Sequence, residues 1–233
     1  MALPKINEFP NYQLTIPSTK QKISYRPFLV KEQKVLLIAM ESQNQSQMLN
    51  AIVNTIDACV TSDIEVSQLA TFDVEYIFTQ IRSKSAGESA KVAIKCKECE
   101  EDTEVTVEID DIDIDTNKNK EIKLNEEYTL TMRYPRWSSM VDIDANQETL
   151  TDALYTLALC CLDTISNDDE QIRFDDETEE EKNSFLENLT GDQFKDVMEF
   201  VNNLPKLTKD VEFNCSKCNH ANNITLTGMN DFF

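Results

Sequence analysis

The sequence predicts an α+β protein: an N-terminal β-hairpin, helical lobes, and a β element assembled from two distant Cys-x-x-Cys hairpins. Three observations predict it. One eight-residue pattern occurs twice, as Val92-Ala-Ile-Lys-Cys96-Lys-Glu-Cys99 and as Val211-Glu-Phe-Asn-Cys215-Ser-Lys-Cys218. Short alternating apolar segments near the N-terminus and around residue 130 read as strands. Between these stretches, apolar residues recur at three- and four-residue steps, which reads as helix.

Tyr12–Ile16 and Lys22–Arg26 alternate and are joined through Pro17-Ser-Thr-Lys, so they form a hairpin that Pro27 ends. From Val30 the period changes. Val30, Val35, Leu36, Ile38 and Ala39, then Met48, Leu49, Ile52, Val53 and Ile56, fit two amphipathic helices around the polar stretch Glu41–Gln47. Val74, Ile77, Phe78 and Ile81 predict a third helix over Phe72–Lys84, with Gly87 as its exit. Tyr128–Tyr134 is a strand stopped by Pro135, and Asn117–Asn125 before it reads as a hairpin loop or weak strand. A helix over Thr149–Ile165 carries a core-facing stripe of Leu150, Leu154, Leu157, Ala158 and Cys161. Thr178 with Glu181, and Thr190 with Gln193, have capping-box spacing and start helices over Glu179–Leu189 and Gly191–Asn203. The expected organisation is residues 1–90 as hairpin plus helices, 91–135 with 206–233 as the cysteine β element, and 136–205 as a helical insert.

In each cysteine unit the apolar alternation resumes after the second cysteine, at Val105 and Val107 and at Ile224 and Leu226, so both copies read as strand, cysteine turn, strand. Four thiolates on two such turns are the ligand set of a structural zinc site, a zinc-ribbon-like element with Cys96, Cys99, Cys215 and Cys218 as ligands. Because the two pairs are so far apart in sequence, the metal would close a long loop and pin together the ends of a domain. Disulfides, a thioredoxin-like redox dithiol and a site that has lost its metal are the competing readings. A two-residue gap strains a disulfide ring, and strands rather than a helix follow both pairs. His220 is the only histidine and lies beyond Cys218, where it reads as a supporting or solvent-exposed residue beside a completed ligand set.

A formal net charge of −21 disfavours nucleic-acid binding, because neutralising phosphates takes clustered Lys and Arg. The acid gathers in Glu98–Asp115 and Asp168–Glu181, as solvated loops and helix starts or as a face for a basic partner. No apolar run has the length of a membrane span, and the N-terminal residues lack the charged and apolar regions of a leader, so the expected location is the cytoplasm. With one histidine, three glycines, no phosphate-binding Gly-rich loop and no nucleophile elbow, the expectation is a protein that is not an enzyme. Cys59, Cys160 and Cys161 fall on apolar helical faces, where packing is their expected role.

The stretches Tyr12-Gln-Leu-Thr-Ile-Pro-Ser-Thr and Tyr25-Arg-Pro-Phe-Leu-Val-Lys-Glu, extended through Met40-Glu41, Phe72-Asp-Val-Glu-Tyr-Ile-Phe and Arg82-Ser-Lys-Ser, carry a likeness. Over roughly residues 9–110 the chain resembles the baseplate proteins of T-even-type tailed bacteriophages, in particular the baseplate hub assembly family typified by the product of gene twenty-six. The resemblance implies a non-enzymatic, chaperone-like factor that builds the tail baseplate hub in the host bacterial cytoplasm through contacts with hub or tape-measure proteins. It supplies no catalytic residues. Within the motif, Arg26, Phe28, Lys31 and Glu32 are candidate partner-binding positions, although Pro27 and Phe28 also suit a simple turn from hairpin to helix. A permanent structural subunit of the hub, present in the virion baseplate, is the alternative. A zinc-ribbon nucleic-acid-binding or transcription factor is the third reading.

Overall fold

A computed structural model describes residues 9–109, 112, 114–116, 120–140 and 149–229. Residues 110, 111, 113 and 117–119, on which parts of the expected acidic run and of the 117–125 loop fall, lie outside the described residues. Two units emerge. One holds the described residues of Met1–Val66, Phe72–Ile114 and Lys206–Phe233, the other those of Ser67–Thr71 and Asp115–Pro205.

The first unit opens with β1 (Tyr12–Thr15) and β2 (Lys22–Tyr25), paired antiparallel with Leu14 opposite Ile23 and Tyr12 opposite Tyr25. Leu14, Ile16, Ile23 and Tyr25 are buried, so period-two alternation gives the hairpin its apolar face. Its turn is tied down by Ser18, whose backbone N–H donates to Asp73 Oδ1 at 2.9 Å and whose hydroxyl donates to the same carboxylate. Helices α1 (Val30–Glu41) and α2 (Gln45–Cys59) pack on each other, and Asn44 caps α2 by accepting from the Gln47 N–H at 2.9 Å. Helix α3 (Thr71–Ala86) buries Phe72, Val74, Ile77, Phe78 and Ile81, the stripe its periodicity predicts. Gly87, at φ +120°, ends it with a left-handed turn and an N–H that reaches the Ser83 carbonyl at 3.1 Å.

Arg26 joins three of these elements. Its guanidinium donates to the carbonyls of Pro27 (2.9 Å) and Ala58 (2.7 Å) and to Glu32 Oε1 (2.9 Å). Glu32 Oε2 in turn accepts the N–H of Leu29, the residue that opens α1, at 2.8 Å. A cation therefore lies at the C-terminal end of α2 and a carboxylate at the N-terminal end of α1, each where the helix dipole favours it. Phe28 is held alongside by its N–H donating to Ser85 Oγ at 2.8 Å.

The unit closes with two hairpins of identical strand length. β3 (Ser89–Lys95) pairs with β4 (Asp102–Glu108), and β9 (Thr208–Asn214) with β10 (Ala221–Thr227), all antiparallel and seven residues long.

The second unit is a four-stranded antiparallel sheet, β5 (Glu121–Lys123), β6 (Thr129–Met132), β7 (Leu162–Ser166) and β8 (Gln171–Arg173) in that order. With it come α4 (Leu150–Cys160), α5 (Glu179–Glu187) and α6 (Gly191–Asn202). Both capping boxes form as expected: Thr178 N–H meets Glu181 Oε2 at 2.9 Å, and Thr190 N–H meets Gln193 Oε1 at 2.8 Å. One helix differs from its expectation. The helix expected over Thr149–Ile165 stops at Cys160, because the Arg133 N–H and Nε take the Cys161 and Cys160 carbonyls at 2.7 and 3.1 Å, and Thr164-Ile165 favours extension. Leu162 and Thr164 then alternate into the buried face of the sheet. Leu150, expected in the core stripe, is exposed at the first turn of α4, whereas Ala158 and Cys161 are buried.

Two substitutions test this account. Burial pushes the Glu32 carboxyl up, but the Arg26 guanidinium and the Leu29 N–H outweigh it and hold the carboxyl below its ordinary 4.5. Its contribution is therefore present above pH 4.5 and lost as pH falls through the lowered native value. Glu32→Gln is expected to cost about 3 kcal/mol at neutral pH in urea unfolding, because Arg26 keeps its charge without its counterion. Burial raises the Glu75 carboxyl to about 7 against the pull of Lys206, so its native state holds the proton more tightly than the unfolded chain. Stability contributed by the protonated form is lost as pH rises through 7, and Glu75→Gln is expected to gain on the order of 1–3 kcal/mol at pH 8 and little at pH 5 in thermal melts.

Candidate metal centre

Each cysteine pair sits on the turn between two strands, and the two turns are built alike. In the first, the Cys96 N–H donates to the Glu101 carbonyl and the Glu100 N–H to the Cys96 carbonyl, both at 3.0 Å. In the second, the Cys215 N–H donates to the His220 carbonyl at 2.9 Å and the Asn219 N–H to the Cys215 carbonyl at 3.0 Å. The residue after the second cysteine takes a left-handed conformation in both, Glu100 and Asn219 at φ 58°. Tight turning there frees the amides of Glu98 and Lys217 to point at sulfur, donating to Cys96 Sγ and Cys215 Sγ at 3.4 Å.

The turns meet reciprocally. Cys96 Sγ lies 3.7 Å from Cys218 Sγ, and Cys99 Sγ lies 3.5 Å from Cys215 Sγ. All four sulfur atoms lie within 4.8 Å of one another. The residue after each first cysteine donates its N–H across to the other hairpin: Lys97 to Asn222 Oδ1 at 2.9 Å, and Ser216 to Thr103 Oγ1 at 3.3 Å. Thr103 and Asn222 are both buried and hold equivalent positions in the second strands, so the pairing is an internal two-fold match. Asn222 does more than its counterpart: its amide nitrogen also reaches Cys96 Sγ at 3.5 Å and the His220 carbonyl at 3.0 Å.

The donor set fits a tetrahedral metal. Zinc–sulfur bonds of about 2.3 Å give a tetrahedron with an edge of about 3.8 Å, close to the two sulfur pairs above. A disulfide, with sulfurs about 2.05 Å apart, does not fit these separations, and the cysteines are free thiols. Backbone N–H groups of Cys218 and Lys217 lower the Cys215 thiol to about 6. Burial acts against the Cys96 thiolate, but the N–H groups of Cys99 and Glu98 and the Asn222 amide bring that thiol down as well. Cys218 receives the His220 N–H, yet burial and the neighbouring thiols push it up to about 12. Amide donors thus favour the thiolate at one sulfur of each turn, and a divalent cation would favour it at all four. Cys96 and Cys215 are buried, Cys99 is half-buried and Cys218 is exposed. His220 is exposed and contributes its carbonyl, not its ring, to the turn.

The remaining cysteines stand apart from this centre. Burial raises Cys59 to about 11 and raises Cys161 still further, which leaves both as inert thiols. Of the motif residues, Arg26 and Glu32 are engaged with each other, Phe28 is half-buried, and Lys31 is exposed with its ammonium 3.3 Å from Glu32 Oε1. Sequence spacing found the four sulfurs and missed Asn222 and Thr103. The signal was present, since both occupy the fourth position after the second cysteine of their unit.

Purified protein is expected to carry about one zinc per chain, and Cys96→Ser to abolish cooperative folding, because opening the tetrahedron leaves two hairpins unjoined. Asn222→Ala keeps all four ligands and is expected to weaken metal binding by about 10–100-fold in chelator competition. Metal-free protein that melts as cooperatively as metal-loaded protein, or Asn222→Ala that holds its metal as tightly as the parent, would contradict these expectations.

Comparison with known proteins returns one family. A sequence model of the T4 bacteriophage base plate protein family matches residues 9–233. No curated protein and no solved structure matches. Spanning both hairpins, both units and nearly the whole length, that match places the chain in the T4 bacteriophage base plate protein family.

Proposed function

We propose that this chain is a non-enzymatic assembly factor for the hub of the phage tail baseplate, acting in the infected cell through contacts with hub or tape-measure proteins. Family membership across residues 9–233 is the observation that carries the reading. The four-sulfur cluster supports it by giving the first unit a rigid clasp suited to presenting surfaces rather than to turnover. Zinc is the metal proposed for that clasp, because four thiolates in a tetrahedral cage are its preferred structural set. Arg26, Phe28 and Glu32 serve partner binding indirectly, by fixing the start of α1, and Lys31 serves it directly from the exposed side of that helix. A permanent hub subunit is the second reading, and the family's description as a base plate protein favours it.

Deleting the gene and supplying the chain in trans tests both readings. Loss of baseplates without the chain, with no chain detected by mass spectrometry in purified particles, is the outcome expected of an assembly factor. Loss of baseplates with the chain present in particles at fixed stoichiometry identifies a permanent subunit. Normal baseplates in its absence would refute both.

A further inference from the structure

Helix α1 is apolar almost all round and scarcely buried. Of its residues only Glu32 and Ala39 are buried, while Val30 is 81% exposed, Val35 46%, Leu37 51%, Ile38 55% and Met40 57%. At about 100° per residue, Glu32, Leu36 and Ala39 lie within roughly 60° of one another on the buried side. The five exposed apolar side chains then fan over roughly 220° of the remaining circumference. A surface helix with one face on its core normally shows an apolar stripe of about 100°, and here that stripe is on the wrong side and twice too wide.

The charge on this helix also departs from the rest of the molecule. In a chain of net charge −21, α1 exposes Lys31 and Lys34 in the N-terminal half of the apolar arc. Glu32 is turned to the buried side, engaged by Arg26 and approached by Lys31, and the exposed Glu41 lies at the C-terminal end of the arc. Both lysines lie toward the N-terminal end of the helix, where the dipole disfavours cations. An occupant carrying carboxylates there would offset that cost.

We propose that α1 is a docking helix that inserts into an apolar groove, rimmed by Asp or Glu, on another baseplate protein. This inference rests on the hub-assembly reading and gives it a surface. The width of the arc selects a groove, since a flat face covers about 100° of a helix and a concave one encloses more. It also selects against a second copy of this chain, whose own α1 offers a convex surface and whose approach brings a further net charge of −21. The helix is held ready to dock by the Arg26–Glu32 pair at its base and by Ala39 on its inner face.

A photoreactive amino acid at position 38 of the full chain, expressed in cells producing the phage, tests the proposal by crosslinking and peptide mapping. The expected result is a crosslink to one baseplate protein, at a concave apolar surface bordered by acidic residues. Leu37→Asp is expected to lower the crosslinked fraction by about 30-fold, the share of a binding constant carried by one buried anchor. Its zinc content and melting curve should not change, because Leu37 is half exposed in the free chain. Lys31→Glu with Lys34→Glu should lower the fraction too, and changing the mapped acidic residues to Lys should restore it. A crosslink to a second copy, a surface without acidic residues, or undiminished crosslinking by Leu37→Asp would overturn the proposal. The two readings fail differently: intact baseplates without the chain refute hub assembly, whereas full rescue by Leu37→Asp of particles lost on deletion refutes only the docking helix.

Discussion

The convergence of four sulfurs from two turns is the constraint on which the first unit depends. The chain leaves that unit after Ile114 and returns at Lys206, so everything between is an insertion that the two hairpins bracket. Neither hairpin has enough apolar surface to stand alone, since two-stranded ribbons are marginal in water. They are joined by the sulfur cluster and by the reciprocal amide bonds to Thr103 and Asn222, polar contacts that are strong because these side chains are buried. A metal bound there exchanges the closure entropy of a long loop for a handful of short, directional bonds.

That constraint separates the molecule's rigid parts from its interactive ones. The β1–β2 hairpin is fastened to α3 through Ser18 and Asp73, and α1 and α2 are fastened to β2 through Arg26. Anchoring of this kind uses Arg26 with the buried carboxylates of Glu32 and Asp73. The consequence, in a strongly acidic chain, is that α1 of the first unit exposes apolar side chains together with Lys31 and Lys34. In a family whose members belong to baseplates, such a contrast is the kind of feature that assembly contacts use.

Much of this was legible in the sequence, and the failures have physical causes. The duplicated cysteine turn was visible because both copies keep ligands, strand alternation and turn length in the same register. The capping boxes at Thr178 and Thr190 were visible because a cap is a local interaction, complete within four residues. Strand β7 was hidden. Its Leu162, Thr164 and Ile165 follow a helix without a glycine or proline, and the backbone and side chain of Arg133, far away in sequence, take the carbonyls at the end of that helix. Strand β6, in the stretch 91–135 expected with the cysteine element, pairs with β5 on one side and with β7 on the other, a choice made by long-range ladders that periodicity does not encode. Helix α1 shows the limit most clearly: Val35 and Ile38 have the spacing of a core stripe, yet spacing cannot distinguish an apolar face packed within the chain from one reserved for a partner.

X-ray absorption at the zinc edge of the purified, metal-loaded protein tests the central claim most directly. The account predicts a single shell of four sulfurs at about 2.3 Å with no nitrogen or oxygen in it, supplied by Cys96, Cys99, Cys215 and Cys218. A shell containing nitrogen or oxygen, or a protein that takes up no zinc and yields Cys96–Cys99 and Cys215–Cys218 disulfides under native conditions, would contradict it.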